Sequence, residues 1–378
     1  MSLQRITMVD VAAAAKVHQT TVSLALRNDP RLPRDTRQRI RALADSMGYR
    51  PDPMLSALNF YRSSRRTAKT PQSIAFVMRA RSGGLPAEHF FVDELFLKGA
   101  RRAAERMGYR IVPFQIANSP ADGARLSRVL RSRGISGVIM ASLDVSLREL
   151  AMDWDCFSAL CIESQHLNLS LHTVANNQAG MTRMAVQRLA GLGYRRIGLA
   201  VGEIENNSLG KPFTTGYLVG VHEHPPLDLI PPFLLRPTDE HPRLAAALTR
   251  WVRQNRIDAV LGNWGILPEM LKAGGWRVPQ DLGLATLDYN PRRGVKAGVR
   301  QSHELVGERA VEGLALLMKT NQRGQITLPN TTLIDGIWQD GPELPPRRPS
   351  GQAAADSEEK PKPARESAPA AKPRLALR

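Results

Sequence analysis

The ten residues from Val17 to Leu26, VHQTTVSLAL, place short hydrogen-bonding side chains at helical spacing. Gln19, Thr20 and Ser23 share one side of the predicted helix, and apolar side chains share the other. The amide and hydroxyl groups can donate and accept hydrogen bonds without carrying charge. Such a face can form geometrically selective contacts with a partner, or it can be the polar side of an ordinary amphipathic helix in a small bundle.

This uncharged stretch lies in a strongly basic segment. Residues 1–70 contain 13 Lys or Arg against five Asp, whereas the whole chain of 378 residues has 52 basic against 35 acidic residues and a net charge of +17. A basic excess favours a polyanionic partner. Arginines suit phosphates and short polar groups suit base edges, so the combination predicts double-stranded DNA recognition through the major groove.

Residues 1–50 are predicted to form three short helices. Thr7 can cap the first helix, with Asp10 as an acidic partner close to a capping box. The second helix begins at Gln19 after a tight turn, and the third covers residues 34–47. Two short helices with a tight turn, followed by a third, match the helix-turn-helix plan.

From residue 73 to 342 short β-branched runs alternate with helical patterns. This alternation predicts parallel sheets covered by helices, arranged as two similar α/β lobes with a ligand cleft beyond the carboxyl ends of the strands. The predicted strands are SIAFV (73–77), YRIVPFQI (109–116), ISGVIMAS (135–142), SALCIE (158–163), RRIGLAV (195–201), DAVLGN (258–263), LGLAT (282–286) and TTLIDGI (331–337). Residues 343–378 are rich in Pro, Ala and Lys, and we expect a disordered tail.

The sequence contains few signs of catalysis. We find no Gly-rich phosphate loop and no G-x-S-x-G elbow, so no cofactor and no catalytic residue is predicted. Cys156 and Cys161 lack histidines at metal spacing, and we expect two buried thiols and no metal site. No signal peptide or membrane span is recognised, which predicts a cytoplasmic, nucleoid-associated protein.

Residues 7–51, TMVDVAAAAKVHQTTVSLALRNDPRLPRDTRQRIRALADSMGYRP, resemble the DNA-binding domain of the lactose-repressor (LacI/GalR) family of bacterial transcription regulators. The shared patterns are T-x-x-D-V-A, V-x-x-x-T-V-S, T-R-x-R-I and G-Y-x-P. GLGYRRIGL, LDY and VRQSHELVGERAVEGLALL extend the resemblance, which covers about residues 6–340. It implies a periplasmic-binding-protein-like effector domain and a homodimer that binds a near-palindromic operator. It also implies a small effector in the cleft, commonly a carbohydrate.

The resemblance carries DNA contacts onto particular positions. Gln19 and Thr20 fall where the family contacts bases, and the positions that meet backbone phosphates are Thr7, Ser23, Arg31 and Thr36. Three departures stand beside these matches. Lys16 replaces a usual Gly at the turn, His18 replaces a usual Ser or Thr cap and introduces pH sensitivity, and Leu24 replaces a frequent Arg or Asn. We therefore expect an operator that differs from the commonest family half-site.

Residues 51–72 are predicted to form a hinge helix and linker. Asp52 and Pro53 suit the start of a helix of about eight residues, which is too short to be stable alone in water. In the resemblance this helix orders in the DNA minor groove, and Leu58 is the residue that wedges between central base pairs. The alternative is a plain linker with Leu58 packed on the core.

Three polar residues of the α/β region match effector contacts of the family: Glu163, Asn263 and Asp288. Carboxylates and amides at strand ends can bind sugar hydroxyls through paired hydrogen bonds. Each residue has an alternative as a loop cap or turn residue. Trp264 and Phe213 stand where the family has polar residues, so we expect a less polar cleft in which they are stacking surfaces or core.

The sequence and the resemblance thus predict a transcription regulator, a repressor, whose operator affinity is switched by a small ligand. The alternatives are a sugar-binding transport receptor and a sugar-processing enzyme of similar architecture. The basic helix-turn-helix and the lack of a signal peptide disfavour the receptor. The lack of a recognisable nucleophile, metal site or phosphate loop disfavours the enzyme.

Overall fold

The computed structural model describes most of the chain between residues 6 and 347. The described ranges are 6–26, 29, 31–49, 71–80, 87–117, 119, 121–141, 143, 147–163, 168–236, 241–291 and 294–347. Leu58 and nearly all of the predicted hinge segment lie outside these ranges, as does the chain from residue 348 onward. No helix within the described ranges has an apolar stretch long enough to cross a membrane.

The N-terminal region contains three helices: α1 (Met8–Ala15), α2 (Gln19–Leu26) and α3 (Arg34–Ser46). Val11, Ala12 and Ala15 of α1 are buried against α2 and α3, and small side chains let these short helices approach closely. Ala14, on the same helix, is exposed. Ile40 of α3 is fully buried and completes the small core.

The first lobe is built on a six-stranded parallel sheet with the order β11-β5-β4-β3-β1-β2. Its strands are β1 (Gln72–Arg79), β2 (Tyr109–Ile116), β3 (Gly137–Ala141), β4 (Ser158–Ile162), β5 (His172–Asn176) and β11 (Thr331–Ile334). Its helices are α4 (Ala87–Arg106), α5 (Ala121–Ser132) and α11 (His303–Lys319), with a 3₁₀ turn at Trp154–Cys156. Strands β3 and β4 are buried throughout, as expected for a parallel sheet covered on both faces.

The second lobe is built on a sheet with the order β12-β10-β9-β8-β6-β7. Its strands are β6 (Ile197–Gly202), β7 (Phe233–Leu235), β8 (Ala259–Gly262), β9 (Gly283–Thr286), β10 (Gly298–Arg300) and β12 (Ile337–Gln339). Its helices are α6 (Gln178–Gly191), α7 (Glu203–Ser208), α8 (Pro212–His222), α9 (His241–Gln254) and α10 (Leu267–Ala273). All pairings are parallel except that of β10 with β12.

The chain passes between the two sheets three times, after β5, after β10 and after β11. The third passage corrects a prediction, because TTLIDGI forms two strands in different sheets rather than one closing strand. The break falls at Asp335-Gly336. A Cβ on Gly336 would lie 2.8 Å from the Arg300 carbonyl oxygen and closer still to the Met181 sulfur, so a glycine is required where the chain crosses.

Five side chains at these passages bind one another, and we name them the crossover cluster: Asn177, Gln178, Gln301, Ser302 and Asp335. Gln178 and Gln301 exchange amide hydrogen bonds of 2.9 and 3.1 Å. Asn177 Nδ2 donates to Asp335 Oδ1 over 2.7 Å, and the Ser302 hydroxyl donates to the Asp335 carbonyl over 2.9 Å. All three passages are therefore fixed to each other where the lobes meet.

The ordered α/β domain continues past its predicted end at residue 342. Leu344 is buried in the second-lobe core, and the Glu343 carboxylate accepts a hydrogen bond from the Ala297 amide. The Arg347 amide donates to the Leu192 carbonyl, and its guanidinium lies 4.8 Å from the centroid of the Tyr194 ring. Residues 343–347 are thus part of this lobe, and their assignment to a disordered tail was wrong.

Helices α4 and α11 pack unusually closely in the first lobe. A Cβ on Gly307 of α11 would clash with the Phe96 carbonyl of α4, and a Cβ on Gly99 would clash with the Glu304 carbonyl. Pairs of opposite charge flank this contact; Lys98 Nζ lies 2.7 Å from Glu304 Oε1. Between the charged pairs, the two helices meet through buried apolar side chains. Gly99 and Gly307 therefore set the distance between the helices.

We expect Gly307→Ala to destabilise the protein by about 2 kcal/mol or more, because the methyl group must push α11 from α4. Gly313→Ala on the same helix is the matched control. Its Cβ would lie 3.4 Å from Leu160, an ordinary contact, and alanine favours the helix by up to about 1 kcal/mol. Urea unfolding of the full chain followed by circular dichroism measures both effects. Equal stability of the two variants would contradict the close packing.

Candidate nucleic-acid interface and ligand cleft

Helix α1 starts with the predicted capping box. The Asp10 amide donates to the Thr7 hydroxyl oxygen, while Asp10 Oδ2 accepts from the Thr7 hydroxyl and amide, each over 2.7 Å. These hydrogen bonds, first that of the hydroxyl, lower the pKa of Asp10 below its usual value. The Thr7 hydroxyl is therefore bound to Asp10, and a phosphate contact at Thr7 would have to share that hydroxyl with the carboxylate.

Lys16, in the turn between α1 and α2, has a left-handed backbone conformation. Its φ is 54° and its ψ is 44°, so the lysine adopts the conformation that glycine favours. The Lys16 amide donates a hydrogen bond to the Ala13 carbonyl, and this hydrogen bond closes the C-terminal end of α1. The turn geometry is thus kept without glycine, at the cost expected for an L-residue in this region.

Three exposed residues form the start of α2: His18, Gln19 and Thr20. His18 Nδ1 accepts from the Thr20 amide over 3.3 Å and lies 2.9 Å from the Thr20 hydroxyl, so the ring caps the helix. Because Nδ1 accepts, the cap requires an unprotonated Nδ1. Gln19 makes no side-chain hydrogen bond to any residue in the described part of the chain and extends from the helix end.

The remaining predicted DNA contacts among the described residues lie on α2, on α3 and in the segment between them. Ser23 and Leu24 of α2 and Thr36 of α3 are half-buried. The Arg31 side chain is 74% exposed and binds Asp29 in a bidentate ion pair, with N–O distances of 3.0 and 2.8 Å. Arg41 of α3 donates to the Leu26 carbonyl at the end of α2. Arg41 therefore fixes α2 to α3.

The three predicted effector residues lie at strand ends of the two sheets. Glu163 follows β4 with a left-handed φ of 51°, and its Oε1 accepts from the Asn176 amide over 3.0 Å and from Asn176 Nδ2 over 2.6 Å. Asp288 follows β9 and lies 3.1 Å from His303 Nε2. Asn263 follows β8, but its Oδ1 accepts from the Gly202 amide, which fixes it within the second lobe.

His303 connects two of these residues and was missed in the sequence. The ring is 6% exposed, its Nδ1 lies 3.1 Å from Asn176 Nδ2, and its Nε2 lies 3.1 Å from Asp288 Oδ1. Phe96 meets it edge-on at 5.2 Å. A signal did exist, since His303 starts the last long helix shortly after a strand, but its hydrogen-bond partners Asn176 and Asp288 lie 127 and 15 residues away in the sequence.

The sequence did not decide whether Phe213 and Trp264 line the cleft or belong to the core, and the structure gives them different positions. Phe213 is buried among the apolar residues of the second lobe, so it is core. Trp264 is half-buried and lines a narrow cavity together with Thr286, Asp288 and Asn290. An aromatic ring therefore lies close to one of the candidate effector carboxylates.

The cysteines agree with their prediction only in part. Cys161 is fully buried in β4, and burial raises the pKa of its thiol to about 12. Cys156 is half-buried in the 3₁₀ turn. In the ranges that the structure describes, no group of three His, Cys, Asp or Glu side chains could hold a metal ion.

Residues 7–52, which include the whole exposed surface around α2, match the family model of bacterial regulatory proteins, lacI family. This N-terminal segment is therefore a LacI-family domain. The HTH-type transcriptional regulator PtxS of Pseudomonas plecoglossicida is 30% identical over 203 residues, 53% of this chain and 54% of that protein. This chain spans about half the length of the curated relatives that it matches first.

Solved structures extend this LacI-family likeness to the fold of the whole described chain. A transcriptional regulator CelR–cellobiose complex has a TM-score of 0.53 and 20% identity, covering 89% of this chain and 100% of that one. The lac repressor dimer bound to operator and the anti-inducer ONPF has a TM-score of 0.54 and 17% identity, covering 90% and 100%. These similarities establish the predicted fold, a helix-turn-helix domain followed by a two-lobed α/β domain.

We expect Lys16→Gly to stabilise the helix-turn-helix domain by up to about 1 kcal/mol, because glycine adopts positive φ without the penalty of a side chain. Lys16→Ala removes the same charge but keeps the strained conformation, so it isolates the backbone effect. Amide hydrogen exchange of α1 and α2 in the full chain measures the difference. Faster exchange in the glycine variant than in the alanine variant would contradict this account of the turn.

Proposed function

We propose that the chain is a transcription regulator, a repressor, that binds a near-palindromic DNA operator and changes its operator affinity when a small ligand binds between the lobes. The observation that carries the proposal is the exposed start of α2, where His18, Gln19 and Thr20 project from a packed three-helix core. Short polar groups at a helix N-terminus are suited to base edges in the major groove.

Each DNA contact follows from the chemistry of its side chain. Gln19 can form paired hydrogen bonds with adenine, and Thr20 contacts a neighbouring base. Leu24, which is apolar and half-buried, suits a thymine methyl group. The phosphate contacts are assigned to Thr7, Ser23, Arg31 and Thr36, and His18 adds a contact that depends on its protonation. Leu58 is assigned the minor-groove wedge.

A homodimer suits the proposed operator, because two copies of α2 then meet two half-sites related by a two-fold axis. The lac repressor, whose solved dimer is bound to operator, supports this arrangement by its similarity in fold. The site of action would be the bacterial cytoplasm, at the nucleoid. No catalytic step is assigned to the chain, since its role is binding.

The proposed effector is a carbohydrate or a related polyhydroxyl compound. Glu163 and Asp288 offer carboxylate oxygens at strand ends, and Asn263 adds an amide. Trp264, beside Asp288 in the narrow cavity, offers an apolar surface for a sugar ring. The CelR structure, a complex with cellobiose, supports this class of ligand. The ligand changes operator affinity only if it binds two lobe arrangements unequally.

Operator selection from random DNA with the full chain tests the DNA proposal. We expect Gln19→Ala to weaken binding to the selected site by about tenfold or more and to relax preference at one base pair, as loss of a paired base contact does. Gln38→Ala, at an exposed glutamine of α3, is the matched control and should bind normally. Wild-type affinity for the selected site together with an unchanged base preference in the Gln19 variant would contradict the assignment. Binding should also weaken steeply with salt.

The effector proposal is tested on the complex with selected DNA, challenged with cellobiose, glucose, sucrose and fractionated metabolites. A ligand should change operator affinity by about fivefold or more. Asp288→Ala should reduce that ratio, whereas Asp281→Ala, at a half-buried aspartate paired with Arg277, should keep it. Turnover of a sugar by the purified chain, or an unchanged ratio in the Asp288 variant, would contradict the proposed role.

A further inference from the structure

A chain of four polar side chains joins the two lobes at their carboxyl strand ends. Glu163 and Asn176 belong to the first lobe, Asp288 belongs to the second, and His303 stands between them. Asn176 and His303 are both buried, with 3% and 6% of their surfaces exposed. We propose that His303 is a positioning residue that couples the two candidate effector carboxylates across the lobes. This inference deepens the proposed function and depends on it for the identity of the site.

The hydrogen bonds fix the protonation state of the His303 ring. The Asn176 amide group donates to Glu163 Oε1 over 2.6 Å, and this contact fixes which end of the amide is nitrogen. The same nitrogen faces His303 Nδ1, so Nδ1 is the acceptor. Nε2 then carries the hydrogen and donates it to Asp288 Oδ1. A neutral ring with hydrogen on Nε2 satisfies both lobes at once.

The backbone places His303 where this coupling can occur. The residue directly follows the second passage, from β10 of the second lobe into α11, and α11 packs against the first-lobe core through Val306 and Ala310. The first-lobe residue Phe96 holds the ring edge-on. Glu304, the residue after His303 in α11, forms ion pairs with Lys98 and Arg102 of α4. The ring therefore moves with the first lobe while it holds a carboxylate of the second.

The hydrogen-bonded chain from Glu163 to Asp288 indicates how a ligand bound in the cleft would affect both lobes. Asn176 Oδ1 is buried and has no hydrogen-bond partner among the described residues. Burying a carbonyl oxygen without a hydrogen-bond donor costs free energy. A ligand that places a donor group beside Asn176 Oδ1 is therefore favoured. A hydroxyl that binds this oxygen or Glu163 changes the orientation of Asn176, and through Nδ1 it changes His303 and Asp288. Occupation of one lobe is thus transmitted to the other.

Amide hydrogen exchange of the full chain, without DNA or ligand, tests the coupling. The reporter is the Asn176 amide, which donates to Glu163 in the first lobe. Asp288→Ala in the second lobe should accelerate its exchange by about threefold or more. In a His303→Phe background the same Asp288 substitution should leave the reporter unchanged. Asn263→Ala is the control, because it disturbs the Gly202 amide and has no hydrogen bond to His303.

Two further substitutions at His303 test the roles of the two ring nitrogens separately. His303→Gln keeps a donor toward Asp288 and loses the acceptor for Asn176, while His303→Asn keeps the acceptor and is too short for Asp288. Neither should transmit the Asp288 substitution, so these variants decide the question even where the phenylalanine variant fails to fold. Transmission in either variant, or an Asn176 amide that does not respond to Asp288→Ala in the wild-type chain, would overturn the proposal.

Nitrogen-15 spectra of histidine-labelled protein supply an independent check. The signal lost in the His303 variants should show an unprotonated Nδ1 and a protonated Nε2 at neutral pH, and hydrogen on Nδ1 would overturn the proposal. Neither measurement requires operator or effector. A failure of operator selection would therefore contradict the proposed function alone, and a silent reporter amide would contradict the His303 coupling alone.

Discussion

The three passages of the chain between the two sheets are the constraint on which the rest of the α/β domain depends. The first lobe takes its last strand, β11, after β10 of the second lobe, and the second lobe takes β12 after β11, so neither sheet is complete without the returning chain. The crossover cluster fixes these passages to each other through side-chain hydrogen bonds. The two lobes are therefore joined at this cluster.

That constraint explains why the candidate effector groups can sense lobe geometry. Glu163 and Asp288 lie at strand ends in different lobes, and the buried His303 meets both through short contacts at the second passage. In a low-dielectric interior these hydrogen bonds are strong, and breaking one leaves a costly unpaired group. Under the proposed function, a ligand that competes for one carboxylate would shift the balance between lobe arrangements.

The sequence predicted the helix-turn-helix domain well because its information is local. Caps, small buried residues and an uncharged polar face lie within 40 residues, and the Lys16 turn was recognised as a departure. The α/β alternation also predicted the parallel sheets. The short strands β5, β7 and β10 and the helices α7 and α8 were missed, since their sequences carry no clear periodic pattern.

The cleft was predicted least well, for a physical reason. Glu163 and Asp288 were identified as strand-end groups, but Asn176 and His303 become their partners only through folding, at separations of 13 and 15 residues. The split of TTLIDGI and the packed residues 343–347 likewise depend on tertiary contacts, at Gly336 and at Tyr194. Spacing alone does not encode such partners.

The central claim is that the exposed start of α2 contacts bases. A crystal structure of the full chain with its selected operator tests this most directly. The account predicts two copies of the chain with α2 inserted in successive major grooves and the Gln19 amide within hydrogen-bonding distance of a base edge. A complex in which α2 faces away from the duplex, or in which DNA lies against the α/β lobes, would contradict it.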